Sequence, residues 1–373
     1  MLAIGLMSGT SLDGVDVALV DLVNGYNLKA FITYPYSDDL RSRIRRNLFN
    51  HSSTVQELCS LNFELGYVFV EAINKLLEEN NVDLNEIKFI ASHGQTFWHN
   101  PDQMDGFYSS TLQLGEPSII AYAFNKTVVS NFRVMDMAAG GSGAPLIPFS
   151  EFVIFKSNEK NIALQNIGGI GNVTYLKKNC DIDDIIAFDT GPGNMLIDGA
   201  MKFLFGLDYD HEGKMASKGQ VIDPLIEELM SDDYFKQSPP KTTGREKYND
   251  DFIKRFIERA NKYTKYDIIA TLTAFTARSI VQSCQDFLPP IDLMIVGGGG
   301  SYNKSLMKLI KEYAPFEVIT QEDYGYRSDA KEAIGFVVLG DMTLKQLPSN
   351  VPSATGAKEP VILGNITLPP KKE

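Results

Sequence analysis

One stretch decides the fold of this chain: Ile4-Gly5-Leu6-Met7-Ser8-Gly9-Thr10-Ser11-Leu12-Asp13-Gly14-Val15-Asp16. Its pattern predicts an apolar strand, a tight polar loop with glycines, and a second apolar strand from Val15 to Val20. Such a loop exposes backbone N–H groups and small hydroxyls that can hold an anion. Because Asp13 and Asp16 would repel a bare phosphate, we expect a divalent cation beside it. The loop therefore predicts binding of a metal–nucleotide complex.

Composition and charge exclude several classes of protein. The 373 residues are 44% hydrophobic and 22% charged, which is typical of a globular protein, and the length predicts two domains. A net charge of -12 argues against nucleic acid or an anionic membrane as partner. We find no apolar run near the roughly 20 residues of a membrane span and no signal pattern, and expect a cytoplasmic protein. Cys59, Cys180 and Cys284 are widely spaced, which fits a reducing compartment and predicts buried, small apolar residues.

The rest of the chain alternates strand and helix patterns. Apolar residues from Leu58 to Leu77 fall on one helical face, and Lys88 to Ala91 predicts a short buried strand followed by a loop over Ser92 to Thr96. Further helices are predicted over 268–287 and 329–344. This alternation is typical of an α/β protein.

The second part of the chain begins like the first. A strand at Ile162 to Ile167, a turn at Gly168-Gly169-Ile170-Gly171-Asn172 and a strand at Val173 to Leu176 predict a weak internal repeat, with chance similarity of two hairpins as the alternative. A third turn, Gly297 to Gly300, also follows a buried strand and precedes a helix that opens at Asn303. One such turn is more often a plain hairpin, but three predict phosphate or nucleoside contacts.

Asp189 is the candidate general base. It ends the apolar strand Ile185 to Phe188, and Gly191 and Gly193 leave room for a substrate. Open α/β sheets carry their chemistry at the carboxyl ends of strands, so we predict that Asp189 accepts a proton during phosphoryl transfer. The alternative is an N-cap for the next helix.

The other candidates have structural alternatives. Arg133 is suited to bidentate binding of a carboxylate or phosphate, or to pairing with Asp136 to hold a loop. Trp98 is suited to stacking on a sugar, with a core tryptophan and a loop-stabilising His93 as the alternative. Glu332, on a helix, is expected from its spacing alone to be a solvated surface residue.

Motifs spread over the whole chain resemble those of the anhydro-N-acetylmuramic acid kinase family. They are Gly5 to Asp16, Ser92 to Thr96, Asn131 to Arg133 with Asp136 to Gly141, Asn166 to Asn172, Phe188 to Asn194, Gly297 to Gly299, and Pro352 to Ala357. The resemblance implies an α/β protein of the actin/hexokinase/Hsp70 fold, in which two ribonuclease-H-like domains flank a nucleotide and substrate cleft. We expect an N-terminal domain over 1–130 joined by the helix 330–347, a second domain over 131–329, and an extended tail over 348–373.

The resemblance also implies an activity. The family hydrolyses the 1,6-anhydro bond of 1,6-anhydro-N-acetylmuramic acid and phosphorylates O6, giving N-acetylmuramic acid 6-phosphate in peptidoglycan recycling. It implies ATP and Mg²⁺ as cofactors, the sugar as substrate and a homodimer.

Residue roles follow from the same resemblance. Asp189 is implied as the base that activates water, Thr96, Arg133 and Glu332 as sugar-binding residues, and Asp13 and Asp16 as holding Mg²⁺ through water. The implied ATP-binding residues are Gly9, Thr10, Ser11, Leu12, Asp13, Gly14, Val15, Asp16, Gly168, Gly169, Gly171, Asn172, Gly297, Gly298 and Gly299.

Two other functions stay open at this point. One is a kinase for another anhydro-sugar such as levoglucosan, against which Arg133 argues because a neutral sugar offers no carboxylate. The other is an actin-like nucleotide switch without turnover of a small molecule, which would leave Asp189 without a substrate. The segment Ser238 to Glu246 resembles the family as well, and the sequence assigns it no role.

Overall fold

A computed structural model describes residues 1–9, 12–23, 25–49, 53–103, 106–244 and 247–371 of the chain. Its internal contacts divide it into two units. The first unit is made of Met1–Ile154 and Asp329–Glu373, and the second of Phe155–Ser328. The chain is a mixed α/β protein with one sheet in each unit, which confirms the predicted class.

The strands and helices have these bounds. The strands are β1 (Leu2–Ser8), β2 (Gly14–Asp21), β3 (Asn27–Pro35), β4 (Ile87–Asn100), β5 (Ser110–Leu114), β6 (Thr127–Ser130), β7 (Ile162–Ile167), β8 (Ile170–Leu176), β9 (Ile186–Pro192), β10 (Leu293–Gly297), β11 (Glu317–Thr320) and β12 (Asn365–Thr367). The helices are α1 (Asp38–Phe49), α2 (Val55–Glu79), α3 (Pro117–Phe124), α4 (Arg133–Ala138), α5 (Ile147–Phe155), α6 (Met195–Phe205), α7 (Asp223–Met230), α8 (Asp250–Arg259), α9 (Lys265–Phe287), α10 (Lys304–Tyr313), α11 (Lys331–Leu344) and α12 (Pro352–Thr355).

The two sheets share one plan. In the described part of the first unit the order is β12-β6-β4-β1-β2-β3, with β5 paired to β4. β1, β4 and β6 are parallel to one another, and β2 is antiparallel to both of its neighbours. The second unit has the order β11-β10-β7-β8-β9, in which β7, β10 and β11 are parallel and β8 is antiparallel to both neighbours. The order and directions of five strands therefore recur, and the predicted internal repeat is confirmed.

Helix α11 packs directly on β1 in the first unit. A Cβ atom on Gly5 would lie 2.0 Å from the carbonyl oxygen of Ala333, so only glycine fits at this crossing. Residues Ala333 to Gly340 of α11 are buried without interruption. The sequence prediction of a helix over 329–344 is confirmed, and this helix brings Glu332 to the first sheet.

The long amphipathic helices also follow the sequence. The pattern from Leu58 to Leu77 forms α2, whose buried face includes Leu61, Leu65 and Phe69, and whose N-cap Thr54 accepts the backbone N–H of Glu57. Buried apolar residues recurring every three or four positions fix this face towards the core. The predicted helix over 268–287 is α9, which begins three residues earlier at Lys265 because Thr264 and Asp267 form a capping box.

Three local predictions were wrong. The segment Ser92 to Thr96 is not a loop, because β4 continues through it to Asn100 and pairs with β1, β5 and β6. Asp189 does not end its strand: β9 continues to Pro192, because Gly191 and Pro192 still pair with β8 across a register shift. Cys180 and Cys284 are buried as expected, but Cys59 is exposed on α2.

The division into units also differs from the expected one. The first unit extends to Ile154 rather than to residue 130, because the start of α5 packs against α11. A Cβ on Gly335 would lie 2.9 Å from both Ile147 Cδ1 and Ser150 Oγ.

The C-terminal segment is part of the first unit and not a tail lying on its surface. Asp136 is fully buried, and one of its oxygens accepts hydrogen bonds from Asn350 Nδ2 and Thr355 Oγ1, each at 2.8 Å. Leu363 is buried as well, and β12 adds to the edge of the sheet beside β6. Buried polar groups need such partners, so the polar residues of this segment hold it in place.

No helix in the described ranges has both the length and the apolar content that a membrane span requires.

Candidate active site

The candidate residues of the first unit lie at the edge of the sheet where β1 and β6 end. Ser8, the last residue of β1, lies opposite Gln95 of β4, and Ser130, the last residue of β6, lies opposite Ser92. Arg133 follows β6 by three residues. Parallel strands bring these carboxyl ends together, where α/β sheets bind their ligands.

A buried polar network holds the loop between β1 and β2. Ser8 Oγ donates to Gln95 Oε1 at 2.5 Å and, having one proton, accepts the hydroxyl of Tyr36 at 2.6 Å. Gln95 Nε2 in turn donates to the carbonyl oxygen of Gly9 at 3.3 Å. Burial raises the pKa of Tyr36 far above its ordinary value, so its hydroxyl stays a donor.

The other end of this loop is held from α1. Leu12 has a positive φ of 58° and is buried, and its carbonyl oxygen accepts Arg41 Nε at 3.0 Å. Of the predicted phosphate-binding residues, Thr10 and Ser11 lie outside the described residues, whereas Gly9 and Leu12 to Asp16 are described.

Carboxylates concentrate beside this loop. Burial raises the pKa of Asp16, the hydrogen bond from Thr33 opposes this, and the charges of Asp13, Asp329 and Glu332 raise the pKa further. Thr33 Oγ1 donates to Asp16 Oδ1 at 2.5 Å. Within the described residues, no three His, Cys, Asp or Glu side chains come close enough to hold a metal ion among themselves. This donor set fits Mg²⁺ held through water, because Mg²⁺ keeps several waters and takes one or two carboxylates.

Arg133 is oriented by two hydrogen bonds. Its Nε donates to His93 Nε2 at 3.0 Å, and its Nη1 donates to the carbonyl oxygen of Gly143 at 2.8 Å. Burial lowers the pKa of Arg133, and the charge of Glu332 opposes this, so Glu332 lies near enough to interact with it. Asp136 does not pair with Arg133 as the alternative proposed, since Asp136 Oδ2 accepts the N–H of Gly143 at 2.8 Å. Arg133 therefore binds the carbonyl oxygen of Gly143, and Asp136 binds its backbone N–H.

His93 is a buried neutral imidazole. It is 2% exposed, its Nε2 accepts from Arg133, and its Nδ1 must then donate to the carbonyl oxygen of Gly94 at 2.8 Å. Burial, with a further contribution from the charge of Arg133, lowers its pKa from 6.5 to about 3. His93 is therefore a structural residue, as the alternative to a sugar-binding role proposed, but it lies in β4 rather than in a loop and it orients Arg133.

Protonation of His93 should couple stability to pH. The unfolded chain takes up a proton as the pH falls below 6.5, whereas folded His93 stays neutral down to about pH 3. We expect the unfolding free energy of the parent to fall relative to His93→Gln by up to about 1.4 kcal/mol per pH unit in this window. Urea unfolding of both proteins above and below pH 6.5 measures this difference. A difference that does not change with pH would contradict a neutral buried His93.

Thr96 and Trp98 lie further along β4. The Thr96 hydroxyl is half-buried and accepts from Gln113 Nε2 at 3.4 Å. Trp98 is 44% exposed, so the prediction of a core tryptophan was wrong. Its ring is therefore accessible at the surface of the first unit.

In the second unit, the predicted turn at Gly168 to Asn172 is hydrogen-bonded to the residues that follow β9. β7 and β9 run in the same direction, so their carboxyl ends meet at one edge. The N–H of Gly193 donates to the carbonyl oxygen of Gly169 at 2.8 Å, and that of Asn194 to Gly168 at 2.7 Å. A Cβ on Gly193 would lie 2.4 Å from the Gly168 oxygen, so the close approach requires glycine.

The third glycine turn reaches the same edge. Gly297 pairs with Asn166 in the ladder of β10 and β7, and Gly298 has a φ of +82°. A Cβ on Gly298 would lie 2.6 Å from Asn166 Oδ1. A short 3-10 turn over Gly299–Tyr302 separates the glycines from α10, whose N-cap is Asn303, so the predicted helix start at Asn303 is confirmed.

Asp189 lies opposite Asn172 in this sheet. Its backbone N–H donates to the carbonyl oxygen of Lys241 at 3.1 Å, and its carbonyl oxygen accepts the hydroxyl of Tyr234 at 2.6 Å. Its carboxylate Oδ2 accepts the backbone N–H of Thr243 at 3.0 Å. Helix α6 has Asn194 at its N-cap position, so the alternative of Asp189 as an N-cap is wrong. A half-buried carboxylate fixed in this way is suited to accept a proton.

Comparison with known proteins identifies the family. The family model described as "Anhydro-N-acetylmuramic acid kinase" matches residues 1–369. The chain belongs to this family. An anhydro-N-acetylmuramic acid kinase of Clostridioides difficile (strain 630) is 50% identical over 99% of each chain. One of Bacillus cereus (strain G9842) is 49% identical over 98% of this chain and 99% of the other.

A solved structure with a similar chain course is more distant. The (R)-2-hydroxyglutaryl-CoA dehydratase component A of Acidaminococcus fermentans is 11% identical, covers 90% of this chain and 95% of its own, and has a TM-score of 0.46. At this level the likeness carries nothing about activity. The resemblance to the anhydro-N-acetylmuramic acid kinase family is confirmed by the sequence relatives instead.

Several residues of this family member support the candidate site from distant parts of the chain. They are Tyr36, Gln95, Tyr234, Lys241, Thr243, Asn350 and Thr355. Periodicity and spacing carry no signal for them, since each acts through a contact far away in sequence. Family-like runs at 92–96, 238–246 and 352–357 indicated a role for the segments that contain Gln95, Lys241, Thr243 and Thr355.

Proposed function

We propose that this chain is an ATP-dependent kinase that hydrolyses the 1,6-anhydro bond of 1,6-anhydro-N-acetylmuramic acid and phosphorylates O6. The product is N-acetylmuramic acid 6-phosphate, as peptidoglycan recycling requires. The observation that carries this proposal is the family match over residues 1–369, with relatives about 50% identical over nearly their full length. The site geometry supports it in both units.

The reaction is written from the substrate. O6 is tied to C1 and has no proton to lose, so water attacks C1 and the C1–O6 bond breaks. Oxygen O6 takes the γ-phosphoryl group, the bond between the β and γ phosphates breaks, and ADP leaves. We assign the carboxylate of Asp189 as the general base of this step, which accepts the proton of the attacking water. The hydroxyl group from water ends on C1.

Binding of the sugar is assigned to the first unit. The guanidinium of Arg133 suits the lactyl carboxylate of a muramic acid. His93 and Gly143 already fix the plane of this guanidinium by accepting hydrogen bonds from it. Thr96 and Glu332 are suited to the sugar hydroxyls. The negative charge of Glu332 opposes the lowering of the Arg133 pKa, so the two side chains are close enough to interact. This proximity supports Glu332 as a sugar-binding residue.

Nucleotide binding is assigned to the glycine turns. Gly9 to Asp16 would hold the phosphates in the first unit. In the second unit, Gly168, Gly169, Gly171 and Asn172 would contact phosphate, and Gly297 to Gly299 the adenosine. Close backbone approaches at Gly193 and Gly298 support tight turns at this edge of the second sheet.

Mg²⁺ is proposed beside the first of these loops. Asp13 and Asp16 would hold it through water, and the negative charges of Asp13, Asp329 and Glu332 that act on Asp16 support a cation there. When bound, the ion would neutralise charge on the phosphates. A homodimer and a cytoplasmic location stay predictions from the resemblance and the sequence.

Coupled measurement of ADP formation tests the function. We expect ADP with the anhydro-muramic sugar and not with levoglucosan or without sugar. In isotope-labelled water, the label should enter the C1 hydroxyl of the product and not the phosphate. Turnover with levoglucosan at an equal rate would favour the other anhydro-sugar kinase. Equal ADP formation without sugar would favour a nucleotide switch.

A further inference from the structure

The segment that the sequence left without a role contains a buried lysine. Lys241 is 5% exposed, and its Nζ lies 4.2 Å from the ring centre of Phe287, 4.8 Å from that of Tyr234 and 5.7 Å from that of Phe188. We call these three rings the aromatic cage. Nζ also donates to the carbonyl oxygen of Tyr234 at 3.4 Å. Burying an ammonium is costly unless it is compensated, and ring faces supply that compensation.

The protonation state of Lys241 depends on its burial and on the groups around its ammonium. Burial lowers the pKa of Lys241, and the carboxylate of Asp286 opposes this. The aromatic cage and Asp286 thus favour the charged form at this place.

The backbone around Lys241 is bonded to Asp189. The Lys241 carbonyl oxygen accepts the Asp189 N–H at 3.1 Å, and the Thr243 N–H donates to Asp189 Oδ2 at 3.0 Å. Tyr234, a member of the aromatic cage, donates its hydroxyl to the Asp189 carbonyl oxygen at 2.6 Å. Residues 238–244 belong to no helix or strand, so no regular ladder of hydrogen bonds holds them.

We propose that Lys241 is a positioning residue for the carboxylate of Asp189. Its ammonium, enclosed by the aromatic cage, anchors the irregular segment, and the anchored segment presents the Thr243 N–H to Asp189 Oδ2. This inference rests on the proposed role of Asp189 as the base. A base displaced by about 1 Å loses roughly 100-fold in rate, so an anchor at this place affects turnover more than substrate binding.

Lys241→Met tests the anchor because methionine keeps much of the length and the apolar contacts but loses the charge. We expect kcat for the anhydro-muramic sugar to fall about 10- to 100-fold. KM for the sugar and for ATP should stay within about twofold of the parent. Lys241→Arg keeps a cation that stacks on rings and should recover part of kcat.

Lys265→Met is the matched control. Lys265 Nζ also lies 4.2 Å from a ring centre, that of Phe205, but it is exposed and lies outside the segment bonded to Asp189. The same substitution there removes an equal cation–ring contact, and kcat should stay at the parental value.

A second variant tests the contact with the Asp189 carbonyl oxygen, and a second measurement, amide hydrogen exchange, is independent of the sugar reaction. Tyr234→Phe keeps the ring but removes the bond to the Asp189 carbonyl oxygen, and should lower kcat without changing either KM. Hydrogen exchange of the Asp189 and Thr243 amides should become about tenfold faster in Lys241→Met and unchanged in Lys265→Met. If Lys241→Met does not fold, Lys241→Arg and Tyr234→Phe carry the same measurements.

The outcomes separate this inference from the proposed function. A parent inactive with the anhydro-muramic sugar would overturn the function, while amide exchange would still show whether Lys241 holds the Asp189 segment. Parental kcat in Lys241→Met would overturn the positioning role, with or without faster exchange. A rise in sugar KM matching the loss of kcat/KM would also overturn it, because the residue would then act on binding.

Discussion

Asp189→Asn is expected to lower kcat by about 10³-fold or more while ATP still binds. Asparagine has the same shape, and its side-chain oxygen can still accept the Thr243 N–H that Asp189 Oδ2 accepts at 3.0 Å. What the amide lacks is the basicity to take a proton from the attacking water. The geometry of the second unit should therefore survive while the proton transfer fails. Turnover measured with the anhydro-muramic sugar, and ATP binding measured by calorimetry, separate the two effects.

Asp183→Asn is the matched control for this substitution. Asp183 is an exposed aspartate six positions before Asp189, at the entry to β9. The same change of charge there should leave kcat at the parental value. Equal activity of Asp189→Asn and the parent would remove Asp189 from the role of base. Loss of ATP binding in Asp189→Asn would show that the residue acts on the nucleotide instead.

Arg133→Ala is expected to reduce kcat/KM for the anhydro-muramic sugar by about 10²-fold or more, with KM for ATP unchanged. The substitution removes the guanidinium assigned to the lactyl carboxylate. It also leaves His93 Nε2 and the Gly143 carbonyl oxygen without the donor that each now has. Because both partners are largely enclosed, the loss exceeds that of a surface contact. Steady-state kinetics with each substrate varied in turn measure it.

A sugar without the lactyl group tests whether Arg133 contributes to sugar binding through the lactyl carboxylate. For the parent we expect a strong preference for the lactyl-bearing anhydro-sugar over the same sugar without that ether, and no preference in Arg133→Ala. Arg45→Ala, an exposed arginine of α1 in the same unit, is the control and should behave as the parent. If Arg133→Ala keeps the full preference, Arg133 does not bind the carboxylate.

Much of the fold follows from local sequence. The apolar face of α2, the body of α9 and the strand β7 were predicted close to their observed bounds, because burial imposes a period within a few positions. The capping box that begins α9 at Lys265 was not predicted. The internal repeat was visible because both halves begin with a strand, a glycine turn and a strand.

Other features depended on pairing between distant strands. The segment Ser92 to Thr96 is polar and contains a glycine, which is typical of a loop, yet β1 and β5 extend it as a strand. Asp189 likewise lies inside β9, since pairing with β8 continues past it. Tertiary context overrides local propensity in both cases.

The sequence by itself determined the α/β class, the repeated plan and the family, since long runs of specific residues carry that information. Only the tertiary structure decided how the candidate groups are held. Arg133 donates to His93, Thr355 donates to Asp136, and the Asp189 N–H donates to the carbonyl oxygen of Lys241. These bonds join residues that are far apart along the chain. The strength of a hydrogen bond or a cation–ring contact depends on distance and burial in space, and one-dimensional spacing records neither.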